Sequence, residues 1–90
     1  MTGLSEDPTE RAARYIQAFE GALQKNQVLI ADSEVGATSI RMVSDALQRY
    51  LKDARYYLDN QKSTTSLASI AYAEGLLDAL VFLGLTQPLE

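Results

Sequence analysis

The chain has 90 residues, 47% of them apolar, so it can form one small domain with a packed core and is too apolar to remain disordered. Its net charge of −4 disfavours binding to nucleic acid or to an anionic membrane, since both require clustered lysine and arginine. It contains neither cysteine nor histidine, which excludes disulfides, thiol chemistry and histidine-dependent metal binding or acid–base catalysis.

The first predicted helix spans about residues 8–31. Asp7 suits its N-cap, Pro8 suits the first helical position, and Glu10 stands where a capping box has an acidic residue. Asn26 interrupts the apolar pattern, and we interpret it as a boundary residue near the helix end. The apolar residues that recur at helical spacing and predict a buried face are Ala12, Tyr15, Ile16, Phe19, Ala22, Leu23 and Ile30.

The second predicted helix spans about residues 37–60 and has the clearest pattern in the chain. Its charged residues form i,i+4 pairs on one side, which we interpret as a solvated face. The connection before it contains several possible caps and Gly36, and leaves open whether the helix begins near Glu34 or near Ser39. Its predicted core stripe is Ile40, Val43, Leu47, Tyr50, Leu51, Ala54, Tyr57 and Leu58.

The third predicted helix, at about residues 64–83, follows a short polar turn. Gly84 is its expected C-terminal cap, and the expected N-cap is Ser63, Thr64 or Thr65. A turn this short implies that the second and third helices are antiparallel neighbours.

Three helices without strand alternation predict an all-α fold, an antiparallel up-down-up three-helix bundle. We expect one domain over residues 1–90, with tails at 1–6 and 85–90. The sequence shows no signal peptide, and no apolar run of the roughly 18–20 residues that a membrane span needs. We therefore expect a cytoplasmic protein that uses no cofactor, nucleic acid or membrane.

The third helix is apolar on nearly every side, which is typical of a buried helix, yet Glu74 and Asp78 lie one turn apart within it. Ala71, Gly75 and Ala79 recur every four residues and form a groove of small side chains. Because glycine within a helix costs about 1 kcal/mol relative to alanine, we expect another helix to approach along this groove, with Phe82 near its end.

The two carboxylates have three possible interpretations. They could belong to a polar network within the chain, or to an interface along the third helix, including Tyr72, which a second copy or another protein covers. They could also hold Mg²⁺ for a small acidic hydrolase. The candidate donors for the polar network are Tyr15, Tyr50, Tyr57, Arg14 and Arg55.

The hydrolase interpretation is the weaker alternative, because the acidic residues of the second helix (Asp45, Asp53 and Asp59) have basic neighbours and lie mostly on its solvated face. We expect a non-enzymatic interaction or accessory module that forms a homo-oligomer, or binds a protein partner, through the third helix.

Three segments resemble the archaeal Domain of Unknown Function 357 family: "RYIQAFEGAL", "YLKDARYYLD" and "SLASIAYAEGLLDALVFLG". The resemblance covers nearly the whole chain, and "YAEGLLDAL" is its most specific part. It implies a small three-helix bundle of archaeal origin. The family's biochemical role is unassigned, so the resemblance assigns no catalytic residues to this sequence.

Overall fold

The computed structural model describes residues 6–30 and 34–89. Within them the fold is all-α, with three helices and one small two-stranded sheet, so the predicted fold class is confirmed. Most of the predicted N-terminal tail and the predicted end of the first helix at residue 31 lie outside the described residues. The elements in chain order are α1 (Pro8–Lys25), β1 (Asn26–Val28), α2 (Ala37–Asp59), α3 (Ser63–Phe82) and β2 (Thr86–Pro88).

The first helix ends at Lys25, earlier than predicted, because Asn26 leaves the helical conformation. Asn26 has extended backbone angles (φ −134°, ψ 135°), and its side-chain Nδ2 donates to the carbonyl oxygen of Ala22 at 2.9 Å. The interpretation of Asn26 as a boundary residue is therefore confirmed. The backbone beyond it finds hydrogen-bond partners in β2 instead of in a further helical turn.

The β1–β2 pairing was not predicted, and it replaces part of the expected C-terminal tail. The two strands are antiparallel, with Gln27 opposite Gln87, and Leu29 N–H donates to the carbonyl oxygen of Leu85 at 2.8 Å. Strands of three residues are too short to show an alternation of apolar and polar residues. The expectation of no strand was therefore wrong at this one place.

The helix starts differ in how well the sequence predicted them. Asp7 caps α1 as expected, since its Oδ1 accepts from Glu10 N–H at 2.9 Å. The expected hydroxyl cap on α3 is wrong, because α3 begins at Ser63 itself and Lys62 precedes it without a side-chain cap. The Ser63 hydroxyl instead lies 2.6 Å from the hydroxyl oxygen of Thr9, which ties the start of α3 to the start of α1.

Two helix ends close with the same backbone motif, in which one residue adopts a positive φ. After α2, Gln61 has φ 63°, and Lys62 N–H donates to the carbonyl oxygen of Tyr57 at 2.8 Å. After α3, the expected cap Gly84 has φ 73°, and Leu85 N–H donates to the carbonyl oxygen of Leu80 at 2.8 Å. Both are Schellman closures, which satisfy carbonyl groups left free at a helix end.

Contacts between the helices indicate their directions. Near the α2–α3 turn the Ser66 hydroxyl reaches the Ala54 carbonyl, and farther from it Tyr72 stacks on Tyr50. Residue numbers rise along α3 as they fall along α2, so these helices are antiparallel. The Thr9–Ser63 contact at one end and the β1–β2 pairing at the other place α1 beside α3 in the same direction. These contacts favour the predicted up-down-up order.

The core lies along one face of each helix. The predicted stripe of α2 is confirmed, because Ile40, Leu47, Leu51 and Ala54 are buried and the other members are partly buried. Although α3 is apolar on nearly every side, α1 and α2 do not cover all of it. Its buried residues occupy one face only, namely Ser66, Ser69, Ile70, Ala73, Leu77 and Leu80.

Candidate interaction face on α3

The side of α3 opposite the core is exposed and nearly free of charge. Tyr72 is 64% exposed and Phe82 85% exposed. A surface helix normally presents charged and polar residues to solvent, but the only charged residues of α3, Glu74 and Asp78, lie along one edge of this side. We call this surface the outer face; its residues are Ala68, Ala71, Tyr72, Gly75, Ala79 and Phe82.

Gly75 lies in the middle of the outer face and has no neighbour above it. A Cβ atom added there would meet nothing within 4 Å. The close approach of another helix, which the small residues predict, is therefore not made by α1 or α2. Glycine in mid-helix is unfavourable by about 1 kcal/mol relative to alanine, and packing within the described chain gives no compensation for it at this position.

An open apolar depression lies at the N-terminal half of the outer face. Its volume is about 340 Å³, and it is lined by Ala68, Ala71 and Tyr72. The Tyr72 ring stacks on Tyr50 of α2, with ring centroids 5.3 Å apart and an interplanar angle of 27°. This stacking holds one wall of the depression in place. Ala68 was not among the predicted interface residues, although its spacing of seven from Gly75 places both on one side of the helix.

Glu74 and Asp78 border a smaller pocket of about 150 Å³ between α1 and α3, which has an apolar floor formed by Ala18, Phe19, Ala22 and Leu77. Burial raises the pKa of the Glu74 carboxyl group, and the nearby negative charge of Asp78 raises it further. Within residues 6–30 and 34–89, neither carboxylate has a hydrogen bond or an ion pair.

The predicted donors for a polar network lie elsewhere. Arg14 forms an ion pair with Glu6, with Nη2 2.6 Å from Oε1, and its guanidinium lies 4.7 Å from the centroid of the Tyr15 ring. The hydrogen bonds from Arg14 lower the pKa of Glu6. Arg55 forms an ion pair with Glu20. The structure therefore does not bring these arginines to the carboxylates of α3.

The two remaining candidate donors take part in aromatic pairs. Tyr50 stacks on Tyr72, as described above, and Tyr57 meets the ring of Tyr56 edge-on with centroids 5.4 Å apart. Of the predicted site residues, the structure brings together those of the outer face, while Glu74 and Asp78 lie at its edge next to α1.

The part of the chain that the structure describes contains no group of three or more acidic side chains that could hold a metal ion. The Mg²⁺ hydrolase alternative therefore rests on Glu74 and Asp78 alone. α3 has the length and apolar composition to cross a membrane, contrary to the sequence-based expectation, although a core helix of a soluble protein meets the same criteria. About a third of its residues are buried against the rest of the fold.

A family model described as "Protein of unknown function (DUF357)" matches residues 14–86. The chain belongs to this family. The match includes most of α1, all of α2 and α3, and the start of β2, so it contains every residue of the outer face. The resemblance inferred from the three helical segments is confirmed. Neither a curated protein nor a solved structure matches the chain.

Proposed function

We propose that this DUF357 chain is a non-enzymatic interaction module that binds another protein chain through the outer face of α3. The observation that carries the proposal is the chemistry of that face. Six exposed residues form a surface without a charged side chain, on a helix whose other side already packs in the core. An apolar surface of this kind on a small acidic protein is typical of an interaction site.

The outer face also has the composition of a contact surface. Interfaces derive much of their binding energy from a few aromatic anchors that lie within smaller contacts. Tyr72 is ordered by its stack on Tyr50, so binding restricts it little further. Phe82 projects from the same helix with 85% of its surface exposed. A partner that covers this ring removes apolar surface from water, which favours binding.

Photocrosslinking in the native host tests this proposal. A photoreactive phenylalanine analogue replaces Phe82 in one variant and Tyr56 in the control, because Tyr56 is 61% exposed but lies on α2. Irradiation should give discrete protein adducts from position 82 and only background from position 56. The absence of adducts at position 82, or equal adducts at both positions, would contradict the proposal.

A further inference from the structure

The outer face carries a protruding ring and an apolar depression on opposite sides of Gly75. Ala68, in the depression, and Phe82 each lie seven residues from Gly75. Seven residues are almost two helical turns, so both lie on the same side of the helix as Gly75, each about 10 Å away along the axis. Between them the outer face contains the small residues Ala71, Gly75 and Ala79, together with Tyr72.

This spacing makes the outer face complementary to itself. If a second α3 lies antiparallel on the first with a two-fold axis beside Gly75, Phe82 of each chain meets Ala68 of the other. We infer that the partner of this chain is a second copy of itself, bound antiparallel through α3, with Phe82 of each copy in the depression of the other. This inference rests on the proposed interaction function and names its partner.

The depression is open to solvent and large enough to receive one aromatic ring. The depression has a volume of about 340 Å³, and a cavity of about 150 Å³ is enough to hold a benzene molecule. Two helices that pack directly lie about 8–10 Å apart, at the lower end of that range where small side chains meet. The middle of the outer face provides such side chains, and the open space above Gly75 leaves room for the second helix.

The available area is also sufficient. A stable interface buries at least about 1,000 Å² in total, or about 500 Å² from each copy. Since an aromatic side chain buries roughly 150–250 Å², Tyr72 at 64% exposure and Phe82 at 85% supply about half of that area. The small residues of the outer face supply more, as does Leu83 just beyond α3, which is 61% exposed.

Charge does not oppose this arrangement at its centre. Glu74 and Asp78 are the only charged residues of α3, and both lie at the edge next to α1. The centre of the surfaces that meet, around Gly75, is therefore uncharged on both copies. Asp78 lies at its border beside Tyr72 of the other copy, and both carboxylates are exposed, so solvent screening weakens repulsion between the copies.

Disulfide trapping tests the geometry, and the absence of native cysteine makes every cross-link attributable to the introduced residue. A disulfide requires Cα atoms about 4.4–6.8 Å apart. In the antiparallel dimer two copies of residue 75 meet at the axis, whereas two copies of residue 71 are about 12 Å apart and two copies of residue 82 about 21 Å apart. Met42, 67% exposed on α2, provides the background position.

In a glutathione redox buffer, G75C should form covalent dimers several-fold above M42C, and F82C should stay at the M42C level. In a mixture of A71C and A79C chains, disulfides should form between an A71C chain and an A79C chain, and not between two identical chains. Adding Phe82→Ala to G75C should lower its cross-linking several-fold, while adding Tyr56→Ala should not. Circular dichroism of each variant checks that the variant is folded.

Two results would overturn the inference. Efficient cross-linking of F82C to itself would show parallel helices, and cross-linking of G75C no higher than M42C would show that no second copy binds there. In the second case the photocrosslinks at position 82 decide the proposed function separately. Adducts with a different protein would support the proposed function with another partner. If position 82 gives no adducts and the chain floats with phosphatidylcholine vesicles, the outer face binds lipid, and both the proposed function and this inference are wrong.

Discussion

Ser66 and Ala54 are joined by a buried hydrogen bond across the α2–α3 contact. The Ser66 hydroxyl oxygen donates to the carbonyl oxygen of Ala54 at 2.7 Å, and both residues are fully buried. The small side chain of Ala54 lets α3 approach the backbone of α2, and the hydrogen bond satisfies a hydroxyl that would otherwise be buried without a partner.

Replacing Ser66 with alanine should lower the free energy of unfolding by about 1 kcal/mol, since it removes one buried hydrogen bond and leaves little empty space. Denaturant titration followed by circular dichroism measures the change. Thr65→Ala is the control, because Thr65 is exposed on the same helix. If both variants unfold at the same denaturant concentration, the hydrogen bond does not stabilise the α2–α3 contact.

Leu47 lies at the centre of the α2 stripe and has no exposed surface. Leu47→Ala should lower the free energy of unfolding by about 2–5 kcal/mol because it leaves a cavity, and Leu47→Asp should unfold the domain because it buries an unpaired charge. Met42→Ala, on the exposed side of α2, should change it by less than about 0.5 kcal/mol. Thermal melting of the three variants checks the ranking, and an unchanged Leu47→Asp melt would refute the assignment of that stripe.

Gln61 closes α2 with a positive φ of 63°, which favours glycine. Gln61→Gly should therefore raise the free energy of unfolding by about 0.5–1 kcal/mol, since an L-residue in this conformation costs about 1–2 kcal/mol and the greater flexibility of unfolded glycine offsets part of the gain. Gln48→Gly is the matched control and should be destabilising, because Gln48 lies within α2. A loss of stability in Gln61→Gly would contradict this description of the turn.

Glu74 makes stability depend on pH in a defined direction. Burial raises its pKa in the folded chain above the value of about 4.3 expected in the unfolded chain. The folded chain therefore binds this proton more tightly, and the stability that this confers is fully present below the unfolded-state pKa and is lost as the pH rises through the folded-state pKa.

Glu74→Gln should consequently raise the free energy of unfolding at pH 7 and leave it unchanged near pH 3. The gain should be at most about 0.5 kcal/mol, because the carboxyl group is only partly buried and solvent screens its charge. Denaturant titrations at both pH values measure it, with Glu34→Gln, before α2, as the control. A destabilised Glu74→Gln variant at pH 7 would indicate that the carboxylate has a favourable partner.

The sequence predicted the parts of the fold that follow from local periodicity. Asp7 and Gly84 were identifiable because capping depends on residue type, and the α2 stripe because it repeats at helical spacing. The early end of α1 was not predicted, because β1 depends on pairing with β2, far away in sequence. Sequence could not show which side of α3 faces the core, since apolar residues occur on both sides and only contacts with α1 and α2 select one.

The candidate site was predicted only in part, because the sequence shows spacing along a helix but not contacts between helices. The small residues around Gly75 identified a contact surface by their spacing, whereas the donors assigned to Glu74 and Asp78 were chosen by chemistry alone. Arg14 and Arg55 have the right charge, but Glu6 and Glu20 lie closer to them and form their ion pairs. The sequence gives no distance between helices, so it could not distinguish these acceptors from the carboxylates of α3.

Sedimentation equilibrium of the purified chain at micromolar concentrations directly tests whether the outer face of α3 binds a second copy of the chain. We expect a concentration-dependent rise from the mass of one chain to twice that mass. Gly75→Leu should abolish the rise and Gly21→Leu should retain it, because both glycines lie in open space within a helix but only Gly75 lies on the outer face. A monomer at every concentration, or a dimer that Gly75→Leu does not weaken, would contradict self-association through this face.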